Sequence, residues 1–146
     1  MRLFHFTATE HLQAILAEGL AKGDVPISPT EGVNAVWLTT DDDPDGHGLS
    51  DGRLLTREER AACARVLGRE PPENARFLNK RVVRIKVMIP SSDRRLVHWP
   101  KWARKRLDRD WYSTLDRTGG GKSASWYLFF GCITPGQFLA VDHLTD

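Results

Sequence analysis

His5 and Thr7 flank Phe6 in an alternating run, Arg2-Leu3-Phe4-His5-Phe6-Thr7. Successive side chains of a strand point to opposite faces, so the imidazole and the hydroxyl share one face. Both groups can donate and accept hydrogen bonds. A strand that delivers His-x-Thr to a cleft therefore has the means to hold a polar ligand. Taken alone, His5 reads as a polar residue near a sheet end and Thr7 as a helix cap. The chain that follows shifts that balance.

Three further groups carry chemistry. Asp41, Asp42, Asp43 and Asp45 lie with His47 in a glycine-containing loop. They lack the order and closing glutamate of a calcium loop, so a solvated turn is expected and no metal. From Lys80 to Arg109 there are eleven cations: Lys80, Arg81, Arg84, Lys86, Arg94, Arg95, Lys101, Arg104, Lys105, Arg106 and Arg109. Only Asp93 and Asp108 oppose them, although the net charge of the whole chain is just +2. Such an excess suits a phosphate backbone, with Arg84, Lys86, Arg104, Lys105 and Arg106 as candidate nucleic-acid contacts. Trp99, Trp102 and Trp111 could stack on bases, but inward packing is the stronger expectation. Finally, Gly119-Gly120-Gly121-Lys122-Ser123 looks like a phosphate loop. Asp116 stands where the first glycine is required, so a mobile loop is expected, with Lys122 a further candidate anion contact.

The elements that must position these groups follow from periodicity. Arg2 to Phe6 is a strand. Thr7-x-x-Glu10 has the spacing of a capping box, and Leu12, Ile15, Leu16 and Leu20 give one helical face ending at Gly19. Lys22 to Val33, with two prolines and two glycines, is expected to be mostly loop. Ala35 to Thr39 is a second apolar strand. Thr56-x-x-Glu59 opens a helix running to Leu67, with Gly68 beyond it. Val83, Ile85, Val87 and Ile89 alternate with Arg84, Lys86 and Met88, as in a half-buried strand. Pro100 to Leu115 has helical spacing, in one or two pieces. Ser125 to Phe130 and Leu139 to His143 complete the strands.

The length of 146 residues suits one domain, 1–146, and 40% hydrophobic against 27% charged content suits a soluble one. Strand-like sequence from residue 3 argues against an export leader, and no apolar run is long enough for a membrane helix. The five histidines and two cysteines show no metal-ligand spacing, and Cys63 and Cys132 are expected to be free, buried thiols in a reducing cytoplasm. Mixed helices and strands without regular alternation predict an α+β domain with a largely antiparallel sheet.

The chain opening resembles the ADP-ribosyltransferase-like fold, particularly bacterial toxin transferases of the DarT kind and the RNA 2'-phosphotransferases. The resemblance rests on His5-Phe6-Thr7, Ile15-Leu16-Ala17-Glu18-Gly19-Leu20 and Val36-Trp37-Leu38-Thr39, about the first 40 residues, and on the closing run Trp126 to Phe138. It implies a split, mainly antiparallel sheet with a cleft and flanking helices. It also implies NAD as the substrate, a role for His5 at the adenosine ribose, and ADP-ribosyl transfer onto an acceptor such as nucleic acid. A bacterial or phage toxin or defence role goes with it. The cofactor-binding set is then His5, Phe6, Thr7, Trp37, Thr39, Trp126 and Tyr127. The late glutamate of that family has no counterpart: Ser125 and Trp126 occupy its place, and no Glu follows Glu73. If transfer occurs, another carboxylate must act, with Asp41 the first candidate and Glu31 the second. Another nucleotide-directed reaction on the same fold and a non-catalytic nucleic-acid or protein-binding module are the alternatives.

Overall fold

Val83, Ile85 and Val87 are fully buried, while Arg84 and Lys86 between them are half-exposed. The alternation makes a strand with one apolar face. The computed structural model describes residues 1–144. In chain order the elements are β1 (Arg2–Thr7), α1 (Thr9–Glu18), β2 (Asp24–Pro26), β3 (Gly32–Asn34), β4 (Val36–Thr39) and α2 (Arg57–Leu67). They continue with β5 (Val83–Met88), β6 (Leu96–His98), α3 (Trp99–Arg104), α4 (Arg109–Thr118), β7 (Trp126–Phe129) and β8 (Phe138–His143).

Six strands form one sheet in the order β6-β7-β4-β1-β5-β8, and every neighbouring pair is antiparallel. The architecture is α+β. The pairing is uneven. β1 matches β5 along its whole length, from Arg2↔Met88 to Thr7↔Val83. β4 matches β7 from Val36↔Phe129 to Thr39↔Trp126. β1 and β4 are registered only at Phe4↔Thr39. Two three-stranded halves therefore share ladder register at a single pair.

Each face of the sheet has its own core. On the first, Leu3, Val36, Leu38, Val83, Ile85, Val87 and Phe129 pack with Leu20 and Ile133, and α1 covers them through Leu12 and Ile15. On the second, Trp126 and Leu128 pack with Trp99, Ala103 and Leu107 of the α3 region, and with Trp37, Trp102, Trp111 and Tyr112. The tryptophans thus pack inward as expected. Trp99 is fully buried and meets Trp126 edge-on at 5.1 Å between ring centres.

Local sequence accounts for most element ends. The Thr56 hydroxyl accepts from the Glu59 amide at 3.2 Å, and the Glu59 carboxylate accepts from the Thr56 amide at 2.8 Å. Gly68 closes α2 in the left-handed region, with φ 78°. Asp108 caps α4 by accepting from the Trp111 amide at 2.8 Å. Bridges Asp51↔Asn79 and Leu54↔Arg76 close the base of the excursion that carries α2. That helix buries no residue.

Three local expectations are corrected. The Thr7 capping box does not form: α1 starts at Thr9 with Ala8 as its cap and no side-chain cap bond. Thr7 stays in β1, paired with Val83, because ladder bonds to β5 hold it extended. The stretch Lys22 to Val33 is not mostly loop. β2 and β3 form a hairpin, Asp24↔Asn34 to Pro26↔Gly32, which buries Val25 completely against the tryptophan core. Cys132 is exposed rather than buried, because it lies in the turn after β7; Cys63 is half-buried, and both thiols are free.

Removing core atoms should cost far more than removing a cap on a helix that buries no residue. Phe129→Ala is expected to lose about 3–5 kcal/mol in urea unfolding. Thr56→Ala should lose about 1 kcal/mol. The reverse order would refute this division between core and excursion.

Candidate functional site

The opening between β1 and β4 is where His5 sits. Its Nδ1 lies 2.8 Å from the carbonyl oxygen of Trp37. A carbonyl can only accept, so Nδ1 carries the proton and donates. A ladder continued past Phe4↔Thr39 would give that carbonyl a backbone amide of β1; the imidazole supplies the bond instead. His5 is half-buried. Burial depresses its pKa from the usual 6.5; the bond to Trp37 opposes the shift, and the positive charge of Lys80 adds to it.

The neutral ring then presents Nε2 as a lone-pair acceptor. Among the described residues, the side-chain nitrogens and oxygens sealed from solvent without a partner are Arg60 Nε, Arg84 Nε and Trp99 Nε1. His5 Nε2 is not one of them and bonds to no protein group among the described residues, so it is not completely sealed from solvent. Thr7 shares the face of His5, two residues along the strand. Extending the Phe4↔Thr39 register by one residue places His5, Leu38, Tyr127 and His98 in one cross-strand row. Tyr127 and His98 touch, with ring centres 4.9 Å apart.

The other face carries a second polar system, and Asp41 belongs to it. His47 Nδ1 accepts from the Trp126 indole at 2.9 Å, and its Nε2 lies 3.0 Å from Asp41 Oδ2. An indole N–H can only donate, so the proton of His47 sits on Nε2 and points at the carboxylate. Lys122 Nζ binds the same oxygen at 3.0 Å, and the Asp43 amide binds the other at 3.1 Å. Phe6 stacks on the His47 ring at 6.2 Å, with 22° between planes. The His47 side chain is 6% exposed and that of Asp41 25%. Desolvation works against ionisation of Asp41, but the bonds from Lys122, the Asp43 amide and His47 outweigh it and hold its pKa below the usual value. Thr39 and Ser125 extend the network through a 2.8 Å hydroxyl pair. Together these bonds rivet the acidic loop and the triple-glycine segment to the sheet.

The expected site residues are thus divided. His5, Thr7 and Tyr127 lie on the α1 face. Phe6, Trp37, Thr39, Trp126 and Asp41 lie on the tryptophan face. Trp37 also fixes its indole N–H on the Asp24 carbonyl at 2.8 Å. Glu31 stands exposed in the β2–β3 turn. Lys122 is committed to Asp41, and Arg84 to Asp142 at 3.2 Å and the Asp42 carbonyl at 3.0 Å. Lys86 is half-buried beside Phe4, and Arg104, Lys105 and Arg106 are exposed.

Neither of the two best-formed concavities includes His5. One, of about 410 Å³, is lined by Pro29, Asp108 to Trp111 and Thr114. The other, of about 340 Å³, is lined by Gly48 to Asp51, Arg53, Phe77 and Arg81. Among the described residues, no three His, Cys, Asp or Glu side chains are grouped to hold a metal ion, and no helix is long and apolar enough to cross a membrane. No protein-family model, curated protein or solved structure matches this chain.

Sequence reading missed two participants. His47 was placed in a solvated turn, yet it is nearly buried, because Phe6 and Trp126 sandwich a loop that carries no apolar signal of its own. The action of Lys80 on His5 follows from β1–β5 pairing, which brings the residues before Val83 to the end of β1.

Folding favours neutral His5, since its pKa is lowered in the folded state. Its contribution to stability is intact above 6.5, its ordinary value, and is lost as pH falls below it. The melting temperature should therefore fall between neutral and mildly acidic pH, and His5→Gln should flatten that fall. An identical pH profile in the variant would contradict the assignment.

Proposed function

We propose that the domain holds NAD at the opening between β1 and β4 and transfers its ADP-ribose to a nucleic acid. The observation that carries the reading is His5, with Nδ1 spent on Trp37 and Nε2 left as an acceptor. A ribose hydroxyl is a donor of the kind this lone pair takes. The fold family implied by the chain opening, ADP-ribosyltransferase-like, is part of the same reading. It is supported by a sheet whose halves join at one pair, with His-x-Thr on the strand at the join.

In the proposed reaction the bond between ribose C1' and the nicotinamide nitrogen breaks, and nicotinamide leaves with the electron pair. An acceptor oxygen or nitrogen then attacks C1' and loses its proton. Positive charge grows on the ribose as the bond breaks, and an anion held nearby in a poorly solvated site stabilises it. Asp41 is an ionised, hydrogen-bonded carboxylate of that type. It lies across the sheet from His5 and is held by Lys122 and His47. That placement favours a second reading, in which the same opening retains a nucleotide without turnover.

Calorimetric titration with NAD and chromatographic detection of nicotinamide separate the two. Saturable NAD binding is expected, weakened about tenfold or more in His5→Ala, which corresponds to about 1.4 kcal/mol. The melting transition should persist in that variant. Under the transfer reading, Asp41→Asn keeps NAD affinity and loses nicotinamide release by orders of magnitude. NAD binding with no nicotinamide released by the wild type selects the second reading. No saturable binding of NAD refutes both.

A further inference from the structure

We infer that α3 and the turn after it form a phosphate-binding surface for nucleic acid, on the face of the sheet opposite His5 and so independent of the reading above. The basic stretch of the sequence is not uniformly free. Arg81 pairs with Asp45 at 3.7 Å, Arg84 with Asp142 at 3.2 Å and Arg95 with Asp93 at 2.9 Å. Of the eight that remain, Lys80, Lys86 and Arg94 lie apart, and the other five are concentrated between residues 101 and 109. Lys101, Arg104, Lys105, Arg106 and Arg109 are all exposed, and none has an ion-pair partner among the described residues. Asp108, the carboxylate inside this run, is spent on capping α4.

The arrangement is rigid and one-sided. Lys101, Arg104 and Lys105 stand at i, i+3 and i+4, so they share one face. Trp99 and Ala103, both fully buried, anchor the opposite face in the tryptophan core. Like charges at this spacing weaken a helix. Cations near a helix C-terminus gain from its dipole. That gain reaches Lys101, Arg104 and Lys105 at the end of a six-residue helix, Arg106 lies over the Trp102 ring, and Arg109 is left without a structural reason.

Two observations choose the partner. The Arg106 guanidinium lies 5.2 Å from the centre of the Trp102 ring, and Phe130 packs on the same indole at 5.9 Å. The ring is therefore occupied, and the surface reads phosphates rather than stacked bases. The large apolar side chains that are exposed are Met1, Leu16, Leu54, Val66, Leu67, Leu78, Met88 and Leu139, none of them in the α3–α4 region. A helix that lies in a lipid surface inserts an apolar face. The apolar face of α3 is already used in the core, so a nucleic-acid backbone fits and a membrane does not.

The test is fluorescence anisotropy over a salt series, with a labelled oligonucleotide as single strand and as duplex, in two unrelated sequences. Binding should be insensitive to sequence and steeply salt-dependent. Lys101→Gln with Arg104→Gln and Lys105→Gln should reduce the slope of log affinity against log salt by about 2–3. The charge-matched control, Arg57→Gln and Arg65→Gln on α2 with Arg69→Gln just beyond it, should leave the slope near that of the wild type. Equal losses in both triples would show a net-charge effect and overturn the assignment. Binding to vesicles of anionic phospholipid as tight as to the oligonucleotide would overturn the choice of partner, as would no binding to either strand form. His5→Ala should leave the salt slope unchanged, so failure of the NAD reading and failure of this surface are read separately.

Discussion

A single hydrogen bond closes the gap in the sheet. The two three-stranded halves are registered at Phe4↔Thr39 alone, and beyond that pair the Trp37 carbonyl has lost its backbone partner across the gap. A carbonyl left unpaired inside a fold is costly, so a donor must reach it. His5 does so through Nδ1. Meeting that structural demand fixes the tautomer, and burial holds the ring neutral. The group left over is an acceptor at the one place where the strands part.

The opposite face solves a different problem with similar parts. The loop from Asp41 to Arg53 is polar and rich in aspartate, so it cannot hold itself down by apolar burial. Trp126, His47, Asp41 and Lys122 bind it in sequence, each donor meeting an acceptor. Gly120 approaches the Gly46 backbone so closely that a Cβ would clash. The triple-glycine segment thus serves as the seat for Lys122 and the acidic loop. The basic helix α3 lies on this tryptophan side. The cationic surface and the His5 opening consequently occupy different sides of the sheet, and each can be altered without the other.

Much of the fold was legible because its signals are local. The alternation in β5, the capping box of α2 and the glycine at its end depend on neighbours in sequence. The inward packing of Trp99, Trp102 and Trp111 followed from their size. What failed was decided at long range. Thr7 had the right spacing for a cap, but pairing with Val83 kept it in the strand. The β2–β3 hairpin escaped because prolines and glycines masked Val25 and Val33, whose burial depends on tryptophans far along the chain. Phe6, Trp37 and Asp41 share a strand, or a near neighbourhood, with residues of the His5 side. The strict alternation of strands nevertheless sends them to the other face. His47 could not be read at all, since only the folded sheet brings Phe6 and Trp126 to its ring.

The most direct test is to read the His5 ring itself, by long-range proton–nitrogen correlation in the ¹⁵N-labelled protein near neutral pH, with and without NAD. The geometry requires a neutral ring protonated at Nδ1 with Nε2 unprotonated, and the proposed NAD site predicts that the Nε2 resonance shifts when NAD is added. A ring protonated at Nε2, or an Nε2 resonance that NAD leaves unmoved, would contradict it.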